Sequence, residues 1–105
     1  MKDLSPLFPS ELRILNVLWE QGDLTAAQLA THFKASIGWN RNTTYTVIKK
    51  CVSKGFIQRT EPRFHCHALI TRRQVQRHAV QTLAKTLYGG DFMMLSADAA
   101  EANGV

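Results

Sequence analysis

Apolar residues cluster on one side of the segment 10–21. Leu12, Leu15, Leu18 and Trp19, with Ile14 and Val17 beside them, make a broad stripe at helical spacing. The pattern predicts a helix capped by Ser10, with Trp19 as a core anchor rather than a stacking platform. The lead-in, 1–9, carries Pro6 and Pro9 and is expected to be irregular. Gly22-Asp23 ends the helix. Leu24-Thr25 reads as a short link or minimal strand. Thr25 and Gln28 stand three apart as in a capping box. They predict a second helix over 26–33 that buries Leu29, Ala30 and Phe33 and leaves His32 on its polar side. A connector over 34–39 follows, carrying Gly38 and longer than the tight turn of the simplest helix-turn-helix motifs.

The next stretch, WNRNTTYTVIKKCVSKGF, predicts the helix that organises the chain. Val47, Ile48, Cys51 and Val52 share one face. Asn42, Tyr45, Thr46, Lys49, Lys50 and Ser53 point away from it. Asn40 is a good N-cap, and Gly55 sits where a left-handed C-cap is wanted. Lysines suit phosphates; Asn, Thr and Tyr suit base edges or sugar-phosphate oxygens. A plain solvated helix face is the bland alternative.

After Gly55 the period changes to two. Phe56-Ile57, a Pro62-Arg63 turn, then Phe64, Cys66 and Ala68 alternating with His65 and His67 predict a β-hairpin. A hairpin behind a helix-turn-helix is a wing, here with a basic tip of Arg59 and Arg63. Thr71 and Gln74 repeat the capping-box pattern. The helix after them, to about Tyr88, aligns Val75, Ala79, Leu83 and Leu87, with Val80, Ala84 and Tyr88 alongside. That stripe needs a cover, and a second copy of the chain is the natural one. Gly89-Gly90 breaks the helix. Asp91 caps a short last helix with Phe92, Met93, Met94 and Leu95. The tail from Ala97 to Val105 is small and polar and is expected to fray.

With 105 residues the chain is expected to form one small domain with an appended region. Its net charge of +5 matters less than its distribution. From Lys34 to Lys85 there are eleven Lys or Arg and one acid, Glu61. The flanks on both sides are acidic. A basic middle of this kind suits a polyanion. Lysines beside concentrated Trp, Phe and Leu would instead suggest a membrane-surface helix, and that mixture is missing. No apolar run is long enough to span a bilayer, and MKDLSPLFPSEL does not look like a secretory signal. The expected location is the cytoplasm, with no membrane partner. Cys51 and Cys66 do not make a disulfide framework; Cys51 reads as a small core residue.

Two other chemistries compete with this reading. His65, Cys66 and His67 have the residue types of a Zn or Cu(I) site. In a strand, however, Cys66 points away from both histidines, so a metal would need ligands such as His78 or His32. An enzyme is not indicated: acids are few, and no phosphate loop or nucleophile arrangement is spelled out. A winged helix that binds proteins is a third class, which the basic middle disfavours.

The ordered set of motifs resembles the penicillinase-repressor family of winged-helix regulators, over about Leu7 to Leu95. SELRILNVLWEQGDLTAAQLA is similar to the family's first two helices, with Trp19 at its conspicuous tryptophan. Trp39, Thr43, Val47-Ile48, Cys51-Val52 and Lys54-Gly55 match the spacing of the recognition helix. RFHCHALITRRQ resembles the second wing strand and the start of the dimerisation helix, and LYGGDFMML the glycine break. The chain departs from the pattern with Arg41 where Pro is frequent, with Pro62 where Gly is usual, and with Cys66 and His among the wing aromatics. In the family's resistance repressors, proteolysis at an Asn-Phe pair releases the DNA. This chain has no such pair, so an upstream signalling protease or another regulator is an open partner.

The combined expectation is a mainly α protein with a small β-hairpin wing: a winged helix-turn-helix over 1–70 and C-terminal dimerisation helices over 71–105. The resemblance implies a homodimer that represses transcription from an inverted-repeat operator on double-stranded DNA. DNA contacts are expected from Arg41, Asn42, Thr43, Tyr45, Thr46, Lys49, Lys50, Arg59 and Arg63. Dimer contacts are expected from Val75, Ala79, Leu83, Leu87, Phe92 and Leu95. No cofactor is expected.

Overall fold

The computed structural model describes residues 6–104; Met1 to Ser5 of the expected irregular lead-in lie outside them. The described residues are mainly helical, with a small antiparallel sheet, in the order α1 (Pro9–Gln21), β1 (Leu24–Thr25), α2 (Ala26–Ile37), α3 (Arg41–Ser53), β2 (Ile57–Thr60), β3 (His65–Ala68), α4 (Arg72–Leu87) and α5 (Phe92–Ala102). Residues up to Arg72 form one compact unit, a winged helix-turn-helix. Those from Arg73 form a second.

Helix α1 starts one residue before the expected cap. Phe8 is the N-cap and Ser10 lies inside the first turn. Pro9 takes the first helical position, where its missing N–H costs nothing and its fixed φ fits. Glu11 then reaches back, its Oε1 accepting from the Phe8 N–H at 2.8 Å. Ser10 has no such partner three residues on, because Arg13 stands there. Ile14, Leu15, Val17 and Leu18 are buried. Trp19 is only half-buried. Its indole Nε1 donates to the Ile70 carbonyl at 2.9 Å, and the Arg72 guanidinium lies 5.4 Å from its ring centre.

Helix α2 has the predicted capping box. Thr25 Oγ1 accepts from the Gln28 N–H at 3.1 Å, and Gln28 Oε1 accepts from the Thr25 N–H at 2.8 Å. The helix does not stop at Phe33 as expected but runs on to Ile37. Nothing in Lys34-Ala35-Ser36-Ile37 breaks a helix; the stop is Gly38, which takes the left-handed φ of 74°. The connector before α3 is therefore only Gly38 to Asn40, a tight turn rather than a long one. Trp39 in it packs on Phe33, ring centres 5.1 Å apart.

Helix α3 is bounded as predicted. Asn40 Oδ1 accepts from the Thr43 N–H at 2.8 Å. At the other end the Gly55 N–H donates to Val52 O at 3.1 Å and the Phe56 N–H to Cys51 O at 2.9 Å. That pair of bonds, with Gly55 at φ 80°, is a Schellman motif. It turns the chain so that Phe56 and Ile57 enter the core. Thr44, Val47, Ile48 and Cys51 form the inner face.

The hairpin is β2 and β3, and it gains a third strand. The sheet order is β1-β3-β2, with Leu24 opposite Cys66 and Thr25 opposite His65 on one side of β3, and Arg59 opposite Cys66 on the other. The minimal strand before α2 thus ties the wing to the helix-turn-helix. The alternation along β3 follows the sequence pattern: Cys66 is buried, and His65 and His67 are exposed.

In the second unit, Gly89 and Gly90 have positive φ and turn the chain after α4. Asp91 Oδ1 accepts from the Met94 N–H at 3.1 Å and caps α5. Tyr88 donates its hydroxyl proton to Asp98 Oδ2 at 2.9 Å, which raises the phenol above its ordinary pKa. The regular helix reaches past Ala97 into the expected tail, whose last residue, Val105, lies outside the described residues. Helix α5 continues to Ala102, in keeping with the helix preference of its alanines.

Candidate nucleic-acid interface

The outer face of α3 separates into free and engaged side chains. Asn42, Thr46, Lys49 and Lys50 are exposed, and among the described residues they make no side-chain hydrogen bond or ion pair. Their spacing places them on one stripe, opposite the buried Thr44, Val47, Ile48 and Cys51. This stripe combines an amide, a hydroxyl and two ammonium groups on a rigid element. It can offer hydrogen bonds to base edges and charge to phosphates.

The other candidates on α3 already have partners. The Thr43 hydroxyl donates to Asn40 Oδ1 at 3.0 Å and so belongs to the cap. Tyr45 Oη accepts from Arg41 Nη2 at 3.0 Å, and the Arg41 guanidinium lies 5.1 Å from the Tyr45 ring centre. In the wing, Arg63 is exposed at the turn between β2 and β3. Arg59 lies within β2 rather than at the tip. It pairs with Glu61 and covers the Phe64 ring at 3.9 Å. Both partners of that ion pair are about half exposed, so a phosphate can compete for Arg59.

A helix-turn-helix with this outer stripe and a basic hairpin is the arrangement of a winged DNA-binding protein. The family model of the penicillinase repressor matches residues 7–105. The chain belongs to the penicillinase repressor family. No curated protein gives a significant match. Members of the penicillinase repressor family are DNA-binding transcriptional repressors, regulators rather than enzymes. No described helix is long and apolar enough to cross a membrane.

One basic residue of the penicillinase-repressor pattern is engaged within the fold. Lys54, in the Lys54-Gly55 pair after α3, turns inward. Its Nζ donates to Glu11 Oε1 and to the Pro6 carbonyl, each at 2.8 Å, and sits 4.2 Å from the Phe8 ring centre. Glu11 is wholly buried. Counting lysines along the chain could not find this ion pair, since its members are 43 residues apart.

The residues expected at a dimer contact lie on α4 and α5. Leu83, Leu87 and Phe92 are exposed apolar groups, Ala79 is exposed, and Val75 and Leu95 are half-buried. Val80, Met93 and Met94 add to the exposed apolar surface. Ala84 is the buried residue of this unit among those described.

The His65-Cys66-His67 trio does not converge. Cys66 faces the core, while His67 Nδ1 is 2.8 Å from Asp23 Oδ1 at the surface. Among the described residues no group of three or more His, Cys, Asp or Glu is placed to hold a metal. Burial pushes the Cys66 thiol from an ordinary 9.0 up to about 11, against the opposing pull of Arg59. Burial, helped by Glu11, pushes Cys51 up to about 12. Both stay protonated far past the pH at which a free thiol ionises. At pH 8 the folded protein should therefore leave an aromatic disulfide reagent almost unconsumed, whereas unfolding in guanidinium releases both thiols. Prompt reaction of either thiol in the folded protein would contradict the packing of α3 against the sheet. The shifts also make stability fall as pH rises above about 9, where the unfolded chain loses thiol protons that the folded chain keeps.

Proposed function

We propose that the chain is a sequence-specific, homodimeric repressor of an inverted-repeat operator, acting in the cytoplasm. Helix α3 enters the major groove of each half-site and the hairpin lies along the backbone. Residues 1–70 do the DNA binding and 71–105 bring two copies together. The observation that carries this reading is the stripe of Asn42, Thr46, Lys49 and Lys50, without side-chain partners among the described residues, on a helix whose other face is locked in the core.

Asn42 and Thr46 are assigned to base edges. Lys49, Lys50, Arg59 and Arg63 are assigned to phosphates. Arg41 lies at the start of α3, where free backbone N–H groups also favour a phosphate. Thr43 and Tyr45 support the site from within it, one through the cap and one through Arg41.

The assignment separates two variants. Lys50→Ala should weaken binding to operator and random DNA alike, and lower the slope of log affinity against log salt by about one. Asn42→Ala should cost roughly tenfold or more on the operator and little on random DNA, because a bidentate amide contact distinguishes bases. Anisotropy titrations of each variant on both duplexes, over a salt series, read the difference. Equal losses on both DNAs for Asn42→Ala would remove it as a base reader.

A further inference from the structure

Phe64 has no polar group and was not among the residues the sequence marked for function. Its backbone has φ 51°, in the left-handed region that side chains with a Cβ rarely adopt. The conformation is pinned on both sides. The Phe64 carbonyl accepts from the Ala26 N–H at 3.0 Å, and Cys66 Sγ approaches the same oxygen at 3.6 Å. The turn presents the ring to two elements at once. The Arg59 guanidinium lies over it at 3.9 Å, and Tyr45 of α3 meets it in a T-shaped contact at 6.0 Å. Tyr45 in turn holds Arg41. Arg41, Tyr45, Phe64 and Arg59 are thus one unbroken line of contacts from the first turn of α3 to the wing.

We infer that Phe64 is a positioning residue for DNA binding: it fixes Arg59 directly, and Arg41 through Tyr45, as a preset pair of cations for the phosphate backbone. This rests on the DNA-binding reading above. A guanidinium held over a ring gives up rotamer freedom before the DNA arrives, and the N–H groups that Glu61 and Tyr45 leave unbonded can still meet phosphate oxygens. The strained φ at Phe64 is the means by which the ring reaches α3 and β2 together. A leucine there could fill space but offers no ring face to either arginine-bearing element.

The test uses the full chain, a fluorescent mixed-sequence duplex and a salt series. Phe64→Leu should bind roughly tenfold more weakly at low salt, with the slope of log affinity against log salt reduced by about one to two. Phe64→Tyr, which keeps the ring, should restore both. Phe64→Gly suits a positive φ and keeps the turn without the ring, so it should behave like Phe64→Leu and carries the test if the leucine variant folds poorly. In an Arg41→Ala, Arg59→Ala background, Phe64→Leu should add no further loss. Unchanged affinity and slope in both ring-less variants, with wild-type binding intact, would overturn this inference alone. An undiminished loss in the double-alanine background would overturn it too, since Phe64 would then act on structure at large. If the wild type binds no duplex at any salt, the DNA-binding reading falls and takes this one with it.

Discussion

Replacing Leu83 by Asp should leave the chain monomeric and weaken its hold on operator DNA by on the order of a thousandfold. Leu83 is 41% exposed on α4, beside Val80 at 48% and Leu87 at 71%. Helix α5 adds Phe92, Met93 and Met94, all exposed, and contains no buried residue. A unit this small with so much apolar surface in water is costly unless something covers it. A two-fold dimer covers the same patch on both copies. An aspartate in that contact would bury an unpaired carboxylate, which association cannot offset. Losing the dimer uncouples the two half-sites, and the remaining affinity approaches that of non-specific contact. Sedimentation reads the first effect and anisotropy on the operator reads the second. Leu83→Ala, which removes area without adding charge, should weaken the dimer without abolishing it. A stable dimer in Leu83→Asp would place the interface elsewhere.

Lys54→Ala should cost about 3 kcal/mol of stability, although the site lies near the surface. Lys54 Nζ is the cation that neutralises the buried Glu11. Glu11 Oε1 is shared between that ammonium and the Phe8 N–H, and Oε2 has no partner among the described residues. Without Lys54, a carboxylate remains in the interior with one N–H to hold it. The loss also frees Pro6 and Phe8, which Lys54 holds against the end of α3. In a domain of this size the melting temperature should drop on the order of 15 °C. Thermal melts by circular dichroism read it. The pair Glu11→Leu and Lys54→Met together should recover most of the loss, because an apolar pair has no charge to desolvate. Per folded molecule, Lys54→Met should bind DNA as the wild type does, in contrast to Lys50→Ala. A drop of less than roughly 4 °C in Lys54→Ala would mean that Glu11 does not depend on it.

These two expectations sit on opposite sides of what was readable in the chain. The α4 stripe was legible because Val75, Ala79, Leu83 and Leu87 repeat at helical spacing, and the structure leaves most of that line exposed. The ends of α3 were legible for the same local reason, since Asn40 and Gly55 each act on backbone groups a few residues away. Local signals also misled. Ser10 is a favoured cap residue, yet Pro9 and Glu11 set the cap two positions earlier, at Phe8. The apolar pattern of α2 ends at its last core residue, Phe33, whereas the stop signal is Gly38. The tail's small residues suggest a loose end, but their helix preference carries α5 to Ala102. What spacing could not show was anything set by tertiary contact. The Glu11–Lys54 pair, the third strand formed by Leu24-Thr25, and the Tyr45–Phe64 contact all join residues far apart in sequence. Among the described residues those contacts divide the basic side chains into free ones, such as Lys49 and Lys50, and committed ones, such as Lys54.

Specific DNA binding by two copies related by a two-fold axis is tested most directly by a binding selection on genomic fragments with the purified protein. The expected result is an enriched motif of two inverted half-sites spaced about one helical turn apart, lost in Asn42→Ala and in Leu83→Asp. Recovery of fragments with no shared motif, held only by salt-sensitive background binding, would contradict it.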